Sequence, residues 1–304
     1  MSKEQTSVLM VGSANLDVVV GVPRLPKLGE TILGDDVVYL PGGKGLNQAC
    51  AAAMTGTVTY FAGAVGSDDA GVQLLEAMSG RGVDVSQTPI LPGVPSGTAH
   101  ILVSAGGGNQ IVVAPAANGR ITPERVRQAF EGVPDAKILV LQGEIPFESC
   151  LEAAELMEAR GGRVVFNLAP AAAVPQRLLE LADPLVVNEF EAGLVLGAEP
   201  PEGLEEGAQA AASLLSKSRS AIVTLGAAGA VVAGPDGVTK VEPTAVEVVV
   251  DTTGAGDAFV GVLAAELSGG TDLEEAASRA SRAAAATVAL PGASESYDAI
   301  GDLY

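Results

Sequence analysis

The stretch V-V-V-D-T-T-G-A-G-D-A-F-V-G-V-L-A-A at residues 248–265 predicts how the fold and the chemistry are arranged. Its three valines are typical of the end of a buried strand, Gly254 and Gly256 of a tight turn, and the small and apolar residues after them of a packed helix. The first amides of a helix have no internal partners and carry partial positive charge. The turn can therefore hold phosphate oxygens.

Asp257 follows this turn directly, and the sequence leaves two interpretations open. A carboxylate beside the turn can accept a proton from an alcohol while the amides hold a transferring phosphoryl group, as a kinase requires. Asp at a helix start is also common as a cap.

The composition favours an α/β fold. The chain has 304 residues, 48% of them hydrophobic, with 38 glycines, no tryptophan and few other aromatics. A core built from Val, Leu, Ile and Ala suits a parallel sheet that is buried on both faces.

The net charge and the cysteines of the chain limit the binding partners and the cellular compartment that we expect for it. A formal net charge of −20 argues against nucleic acid and anionic membranes, although backbone amides and a divalent cation can still hold ATP. Cys50 and Cys150 lack metal-ligand or redox spacing, and His100 is the only histidine. The polar start M-S-K-E-Q-T-S does not resemble a signal peptide, and no stretch is a convincing membrane span. We therefore expect a soluble cytoplasmic protein.

Two segments of the N-terminal half carry groups that could bind a small polar ligand. Asn15 and Asp17 follow the first predicted strand and would share one face of an extended segment, which suits sugar hydroxyls; Asn15 could equally cap a loop. The motif P-G-G-K-G-L-N-Q-A at 41–49 places Gly43, Lys44 and Asn47 at the start of a helix. It is not a Walker A loop, and it could be an ordinary helix start.

Two segments interrupt the alternation of strands and helices. Residues 21–41 contain short strand-like pieces, and residues 96–114 predict a hairpin around the glycines at 106–108, for which a turn is favoured over a phosphate loop. Together they predict a small sheet that could cover a site or pair with another subunit.

Further polar residues follow the predicted strands of the C-terminal half. Glu144 follows a strand and is placed either to meet a ligand at the edge of an open sheet or to lie in solvent. Asn188 and Glu191, three residues apart, could organise Mg²⁺-bound water or form a capping box. The segment T-L-G-A-A-G places Thr224, Gly226 and Gly229 at another strand end.

Six motifs in order resemble the ribokinase-like carbohydrate kinases over essentially the whole chain. They are N-L-D at 15–17, P-G-G-K-G-L-N-Q-A at 41–49, L-Q-G followed by Glu144, N-E-F-E at 188–191, T-L-G-A-A-G at 224–229 and D-T-T-G-A-G-D-A-F at 251–259. The resemblance implies a three-layer α/β/α fold with a central, mostly parallel sheet, forming one domain over 1–304. It also implies a small antiparallel β lid from residues 14–41 and 96–115.

The resemblance also implies ATP-dependent phosphorylation of the 5-hydroxyl of ribose, with Mg²⁺ and a monovalent cation such as K⁺. From the strand-like segments at 21–41 and 96–114 we expect a homodimer formed through the lid. Asp257 would be the base, and the backbone of Gly254, Ala255 and Gly256 the anion hole. The implied sugar ligands are Asn15, Asp17, Gly43, Lys44, Asn47, Glu144 and Asp257. The implied nucleotide side comprises Asn188, Glu191 (through Mg²⁺), Thr224, Gly226, Gly229, Gly256 and Arg282. The implied monovalent-cation loop comprises Asp251, Thr253, Val288, Gly292 and Ser296.

Two departures from the family pattern and several alternative functions remain. The segment L-P-G-A-S-E-S at 290–296 is one residue shorter than the pattern, and Arg282 stands where the family commonly has Asn or His. Deoxyribokinase, fructokinase, phosphofructokinase and nucleoside kinase activities share the scaffold, and so would a non-catalytic sugar sensor. A sugar-phosphate substrate would require basic residues beside Asn15, which S-A-N-L-D does not provide, and Asp257 argues against a sensor.

Overall fold

The computed structural model describes residues 7–106 and 108–304. The polar start of the chain at 1–6, where we expect no signal peptide, and residue 107 in the predicted hairpin turn lie outside the described residues. Within the two described ranges, no helix is long and apolar enough to cross a membrane.

The strands and helices largely follow the predicted alternation. The strands are β1 (Ser7–Val11), β2 (Asn15–Val22), β3 (Val37–Gly42), β4 (Thr59–Ala62), β5 (Val65–Gly66), β6 (Ile90–Leu91), β7 (Gly97–Ser104), β8 (Asn109–Ala114), β9 (Ala136–Gln142), β10 (Arg163–Asn167), β11 (Leu185–Asn188), β12 (Ala221–Thr224), β13 (Ala230–Gly234) and β14 (Gly237–Val241). The α-helices are α1 (Lys44–Ala53), α2 (Asp69–Ser79), α3 (Pro123–Gly132), α4 (Phe147–Ala159), α5 (Gln176–Leu181), α6 (Glu189–Leu196), α7 (Gly203–Leu214), α8 (Ala255–Ser268), α9 (Leu273–Thr287) and α10 (Asp298–Gly301).

The central sheet has the strand order β14-β13-β12-β11-β10-β9-β1-β4. Neighbours from β12 to β4 pair in parallel, and β13 and β14 add an antiparallel edge. Because strand side chains alternate between faces, Leu9 and Val11 of β1 pack into the core under α3, α4 and α7. Val8 and Met10 pack into the core under α1, α8 and α9. The predicted three-layer α/β/α fold is confirmed.

The segments predicted for the lid form a separate sheet with the order β3-β2-β7-β8, which we call the lid. Its outer pairs, β2 with β3 and β7 with β8, are antiparallel, and its central pair, β2 with β7, is parallel. The lid begins at Asn15, shortly after β1 ends, and Asn15 Nδ2 donates to Glu144, which follows β9. This end of the lid therefore lies at the carboxyl edge of the central sheet.

The prediction of a strand at Val248–Val250 is wrong. The segment between β14 and α8 has no regular structure, and the three valines are 55–64% exposed. β-Branched residues favour a strand only when a neighbouring strand supplies hydrogen bonds and a packed face. Here the amides of Val250 and Asp251 donate instead to the carbonyl of Val288, at 2.8 and 3.2 Å.

Candidate active site

Asp257 lies in the first turn of α8 and is held by α1 rather than by its own helix. Only 8% of the residue is exposed. Its Oδ2 accepts a hydrogen bond from Asn47 Nδ2 at 3.1 Å, and its Oδ1 accepts one from Gln48 Nε2 at 2.9 Å. The N-cap of α8 is Gly254, and no side chain among the described residues caps this end. The capping interpretation of Asp257 is therefore not supported by the geometry.

The turn before Asp257 presents free amides beside open space. Gly254 has φ of 77°, and a Cβ at Gly256 would meet no atom of the residues that the structure describes within 4 Å. The amides of Gly254, Gly256 and Asp257 have no acceptor in the described part of the chain, whereas the Ala255 amide donates to the carbonyl of Thr252 at 3.3 Å. These amides and the helix dipole can hold an anion.

The carboxylate of Glu144 joins the end of β9 to the two N-terminal motifs. Its Oε2 accepts from Ser13 Oγ at 2.6 Å, from the Lys44 amide at 3.2 Å and from Asn15 Nδ2 at 3.5 Å. Asn118 Nδ2 donates to Asn15 Oδ1 at 2.8 Å and fixes that side chain from a 3₁₀-helix at Ala116–Arg120. Three of the predicted sugar ligands are thus directly connected.

Asp17 has no hydrogen-bond donor among the described residues, although it is mostly buried. Burial, followed by the charges of Glu144, Glu295 and Asp257, raises the pKa of Asp17 to about 7. Its carboxylate lies against the backbone of Gly42, where a Cβ would come 2.3 Å from Oδ2. A carboxylate in this condition can accept hydrogen bonds from the hydroxyls of a bound sugar.

Lys44 supplies positive charge beside these carboxylates. The charge of Asp257 raises the pKa of the Lys44 ammonium, and Glu144 adds to this effect, whereas burial opposes it. Gly43, directly before it, has φ of 90°, and a Cβ there would lie 2.8 Å from the amide of Asn15. The motif therefore requires glycine at position 43, both for its backbone conformation and for close packing.

A groove of about 630 Å³ opens on the other side of the free amides. Its lining includes five of the residues predicted for the nucleotide: Asn188, Thr224, Gly226, Gly229 and Gly256. Apolar walls come from Val249, Phe259, Ala284 and Val288, which suits the flat face of a purine.

Two residues predicted for the nucleotide side do not line this groove. Arg282 is exposed on α9, where its neighbour Ser281 lines the groove instead. Glu191 forms the capping box with Asn188: the Asn188 amide donates to Glu191 Oε2 at 2.9 Å, and the Glu191 amide donates to Asn188 Oδ1 at 2.8 Å. The capping interpretation of this pair is confirmed. Burial raises the pKa of Glu191, whose Oε1 keeps no protein donor among the described residues.

The predicted cation loop is tied to the turn before α8. Asp251 Oδ1 accepts from the Thr253 amide at 2.9 Å and from Thr253 Oγ1 at 2.7 Å, and Asp251 Oδ2 accepts from the Gly292 amide at 3.0 Å. Ser296 Oγ donates to the Ala293 carbonyl at 2.7 Å. Within residues 7–106 and 108–304, no cluster of three or more His, Cys, Asp and Glu side chains is arranged to hold a metal ion.

Several polar residues of the site were not singled out from the sequence. They are Ser13, Gln48, Asn118, Gln142 and Asn167, all of them buried. Gln142 and Asn167 are the last residues of β9 and β10, so the rule that places ligand sites at the carboxyl edge of a parallel sheet could have found them. Gln48 directly follows Asn47 in a motif that was already of interest. No sequence signal marks Asn118.

A buried carboxylate beside free amides, between a polar pocket and an apolar groove, defines an enzyme that transfers a phosphoryl group to an alcohol. The sequence model of the pfkB family of carbohydrate kinases matches residues 5–300 of this chain. The chain belongs to this family.

Ribokinases from three different organisms are similar to this chain. The Bacillus subtilis (strain 168) ribokinase is 34% identical over 287 residues, which are 94% of each chain. The Mus musculus ribokinase is 34% identical over 305 residues, covering 99% of this chain and 94% of the mouse protein. The structure of Arabidopsis thaliana ribokinase complexed with ribose and ATP matches with a TM-score of 0.87 at 31% identity, covering 97% of both chains.

Proposed function

We propose that this chain transfers the γ-phosphoryl group of ATP to the 5-hydroxyl of D-ribose. The observation that carries the proposal is the position of Asp257, whose carboxylate lies between the sugar-side residues and the free amides of the α8 turn. The ribokinases among the similar proteins, and the ribose and ATP in the Arabidopsis complex, support the choice of substrates.

The reaction follows from the arrangement of these groups. Asp257 accepts the proton of the sugar hydroxyl as the hydroxyl oxygen attacks the γ-phosphorus of ATP. The bond from this phosphorus to the oxygen that bridges the β- and γ-phosphates breaks, and ADP leaves with the bridging oxygen. The amides of Gly254 and Gly256 hold the transferring group, and the dipole of α8 favours its negative charge. Asp17, Asn15 and the carboxylate of Glu144 orient the sugar.

The side chain of Glu191 fits a role in placing Mg²⁺. One of its carboxylate oxygens accepts from the Asn188 amide and the other has no donor within residues 7–106 and 108–304, so it can bind a water molecule of the hydrated ion. Mg²⁺ on the phosphates would neutralise charge that develops during transfer.

Asp251, Thr253 and Ser296 supply oxygens that fit a monovalent cation. The Asp251 carboxylate and the two hydroxyls retain lone pairs beyond the hydrogen bonds described above. The Val288 carbonyl already accepts two amides, so it would join the site only if one of these bonds broke. We propose K⁺ as the cation, which would orient the peptide dipoles of the turn.

The lid is the surface that we propose for a homodimer. Its edge strands expose Val37, Val38 and Tyr39 on β3, and Ile111, Val112 and Val113 on β8. An exposed apolar edge strand pairs readily with another chain. Val112→Lys is expected to convert a dimer to a monomer in light scattering, while Val72→Lys, at an exposed position of α2, is the control. A monomeric native chain would contradict this proposal.

The buried free thiols of Cys50 and Cys150 suit the reducing cytoplasm, which we propose as the compartment.

The substrate is tested by a coupled ADP-release assay across ribose, deoxyribose, fructose, fructose phosphate and nucleosides. We expect the highest kcat/KM with ribose, and a higher value with another acceptor would reassign the substrate.

Asp257→Asn is expected to lower kcat about 10²–10⁴-fold with little change in sugar binding, because the proton acceptor alone is lost. Asp236→Asn, in the exposed turn between β13 and β14, is the matched control.

A further inference from the structure

Gln48 contacts the carboxylate of Asp257 from a fully buried position on α1. Asn47 and Gln48 are adjacent in sequence, and each holds a different carboxylate oxygen, Asn47 holding Oδ2 and Gln48 holding Oδ1. Gln48 is 0% exposed, so its side chain is shielded from solvent and lies behind the carboxylate. A side chain in this place can act on the reaction only through Asp257.

A chain of amide side chains behind Gln48 fixes which end of its amide faces Asp257. The Val186 carbonyl can only accept, so Asn167 Nδ2 donates to it at 3.2 Å and Asn167 Oδ1 is left as an acceptor. Gln48 Nε2 donates to this oxygen at 3.0 Å and to Asp257 Oδ1 at 2.9 Å. Gln142 Nε2 donates to Gln48 Oε1 at 2.8 Å. A flipped Gln48 amide would place its oxygen against two other oxygens.

This chain connects the base to the central sheet. Gln142, Asn167 and Val186 lie on β9, β10 and β11, three neighbouring strands. Helix α8 also packs closely on α1, since a Cβ at Gly261, one turn after Asp257, would come 2.3 Å from the carbonyl oxygen of Gln48. Both ends of the contact between Gln48 and Asp257 are therefore held by rigid elements.

We propose that Gln48 is a positioning residue for the base: it holds the Asp257 carboxylate as a hydrogen-bond acceptor, in one orientation, by means of the amide chain through Asn167 and Gln142. Two donors from α1 leave the remaining lone pairs of the carboxylate directed at the sugar hydroxyl. A hydrogen bond in which the acceptor is a charged carboxylate is stronger than one between two neutral groups, so it restricts the Asp257 side chain more tightly. The inference rests on the proposed function, because it assigns Asp257 the role of base.

Gln48→Met removes the donors while it keeps the length and volume of the side chain. We expect kcat with ribose to fall about 10- to 100-fold, the typical effect of losing a hydrogen bond to a charged group, with KM for both substrates nearly unchanged. Cys50→Ala is the matched control, because it changes another fully buried residue of α1, whose free thiol makes no hydrogen bond to Asp257. Its kcat is expected to stay near that of the native chain.

The decisive measurement combines Gln48→Met with Asp257→Asn. If Gln48 acts through the base, the double variant has the same residual kcat as Asp257→Asn alone, because the two changes disable one unit. A further loss in the double variant, or an unchanged kcat in Gln48→Met, would overturn the inference. Should Gln48→Met fail to fold, Asn167→Ala removes the next link, and we expect a several-fold loss in kcat alone. A native chain that phosphorylates no sugar would refute the proposed function instead.

Discussion

Replacing Asp17 by asparagine is expected to stabilise the ligand-free protein above pH 7 and to weaken its binding of the sugar. Asp17 is mostly buried, has no protein donor among the described residues, and lies near the charges of Glu144, Glu295 and Asp257. Ionising such a group in the folded state is unfavourable, whereas in the unfolded chain it ionises at its ordinary pKa. Asparagine keeps the shape of the side chain and removes its charge.

The direction and size of the effect follow from the pKa of Asp17, which burial raises from 3.8 to about 7. Between these pH values the folded state keeps a proton that the unfolded state has lost, so this group lowers the free energy of unfolding as pH rises. At about 1.4 kcal/mol per pH unit the upper bound is about 4 kcal/mol. Solvent at the mouth of the site screens part of this, and we expect a gain of about 1–3 kcal/mol for Asp17→Asn at pH 8.

Thermal unfolding of both chains at pH 4 and pH 8, without sugar, measures this difference. Each kcal/mol corresponds to about 2–4 °C in Tm for chains somewhat shorter than this one. The stabilisation should be present at pH 8 and nearly absent at pH 4, and ribose should raise the Tm of the native chain more than that of the variant. Asp36→Asn, on the exposed surface of the lid, controls for the change in a net charge of −20. A gain of equal size at both pH values, or a loss at pH 8, would refute the reasoning.

Two further predictions concern the turn before α8. Gly254→Ala is expected to destabilise the fold by about 1–3 kcal/mol, because φ at this position is 77° and the new Cβ would lie 2.8 Å from the Tyr297 hydroxyl. The matched variant Gly256→Ala should keep the Tm of the native chain and lose about 10- to 100-fold in kcat/KM for ATP, because its Cβ enters the space of the phosphate. Equal Tm values for the two variants would contradict this. If Asp251 and Thr253 hold a cation, K⁺ should raise kcat above the value in Na⁺ and Asp251→Asn should abolish the preference; equal rates in K⁺, Na⁺ and cation-free buffer would exclude a cation site.

The sequence predicted those parts of the site that depend on short segments. The turn at 251–257 requires glycine for a positive φ, and the capping box of Asn188 and Glu191 depends on two residues that are three apart. Both features can therefore be predicted from neighbouring residues in the sequence. The strand at Val248–Val250 was mispredicted because a strand needs a neighbour, and no local pattern reports whether one is present.

The sequence by itself determined the alternation of buried strands and helices, and with it the parallel sheet at whose carboxyl edge the polar residues gather. Only the tertiary structure decided which of these residues meet. Gln48 contacts Asn167 across 119 positions and Asp257 across 209, and Gln142 reaches Gln48 across 94. Backbone patterns repeat within a few residues, whereas the partner of a buried polar side chain depends on how distant elements pack, so the orientation of the base is a property of the folded chain alone.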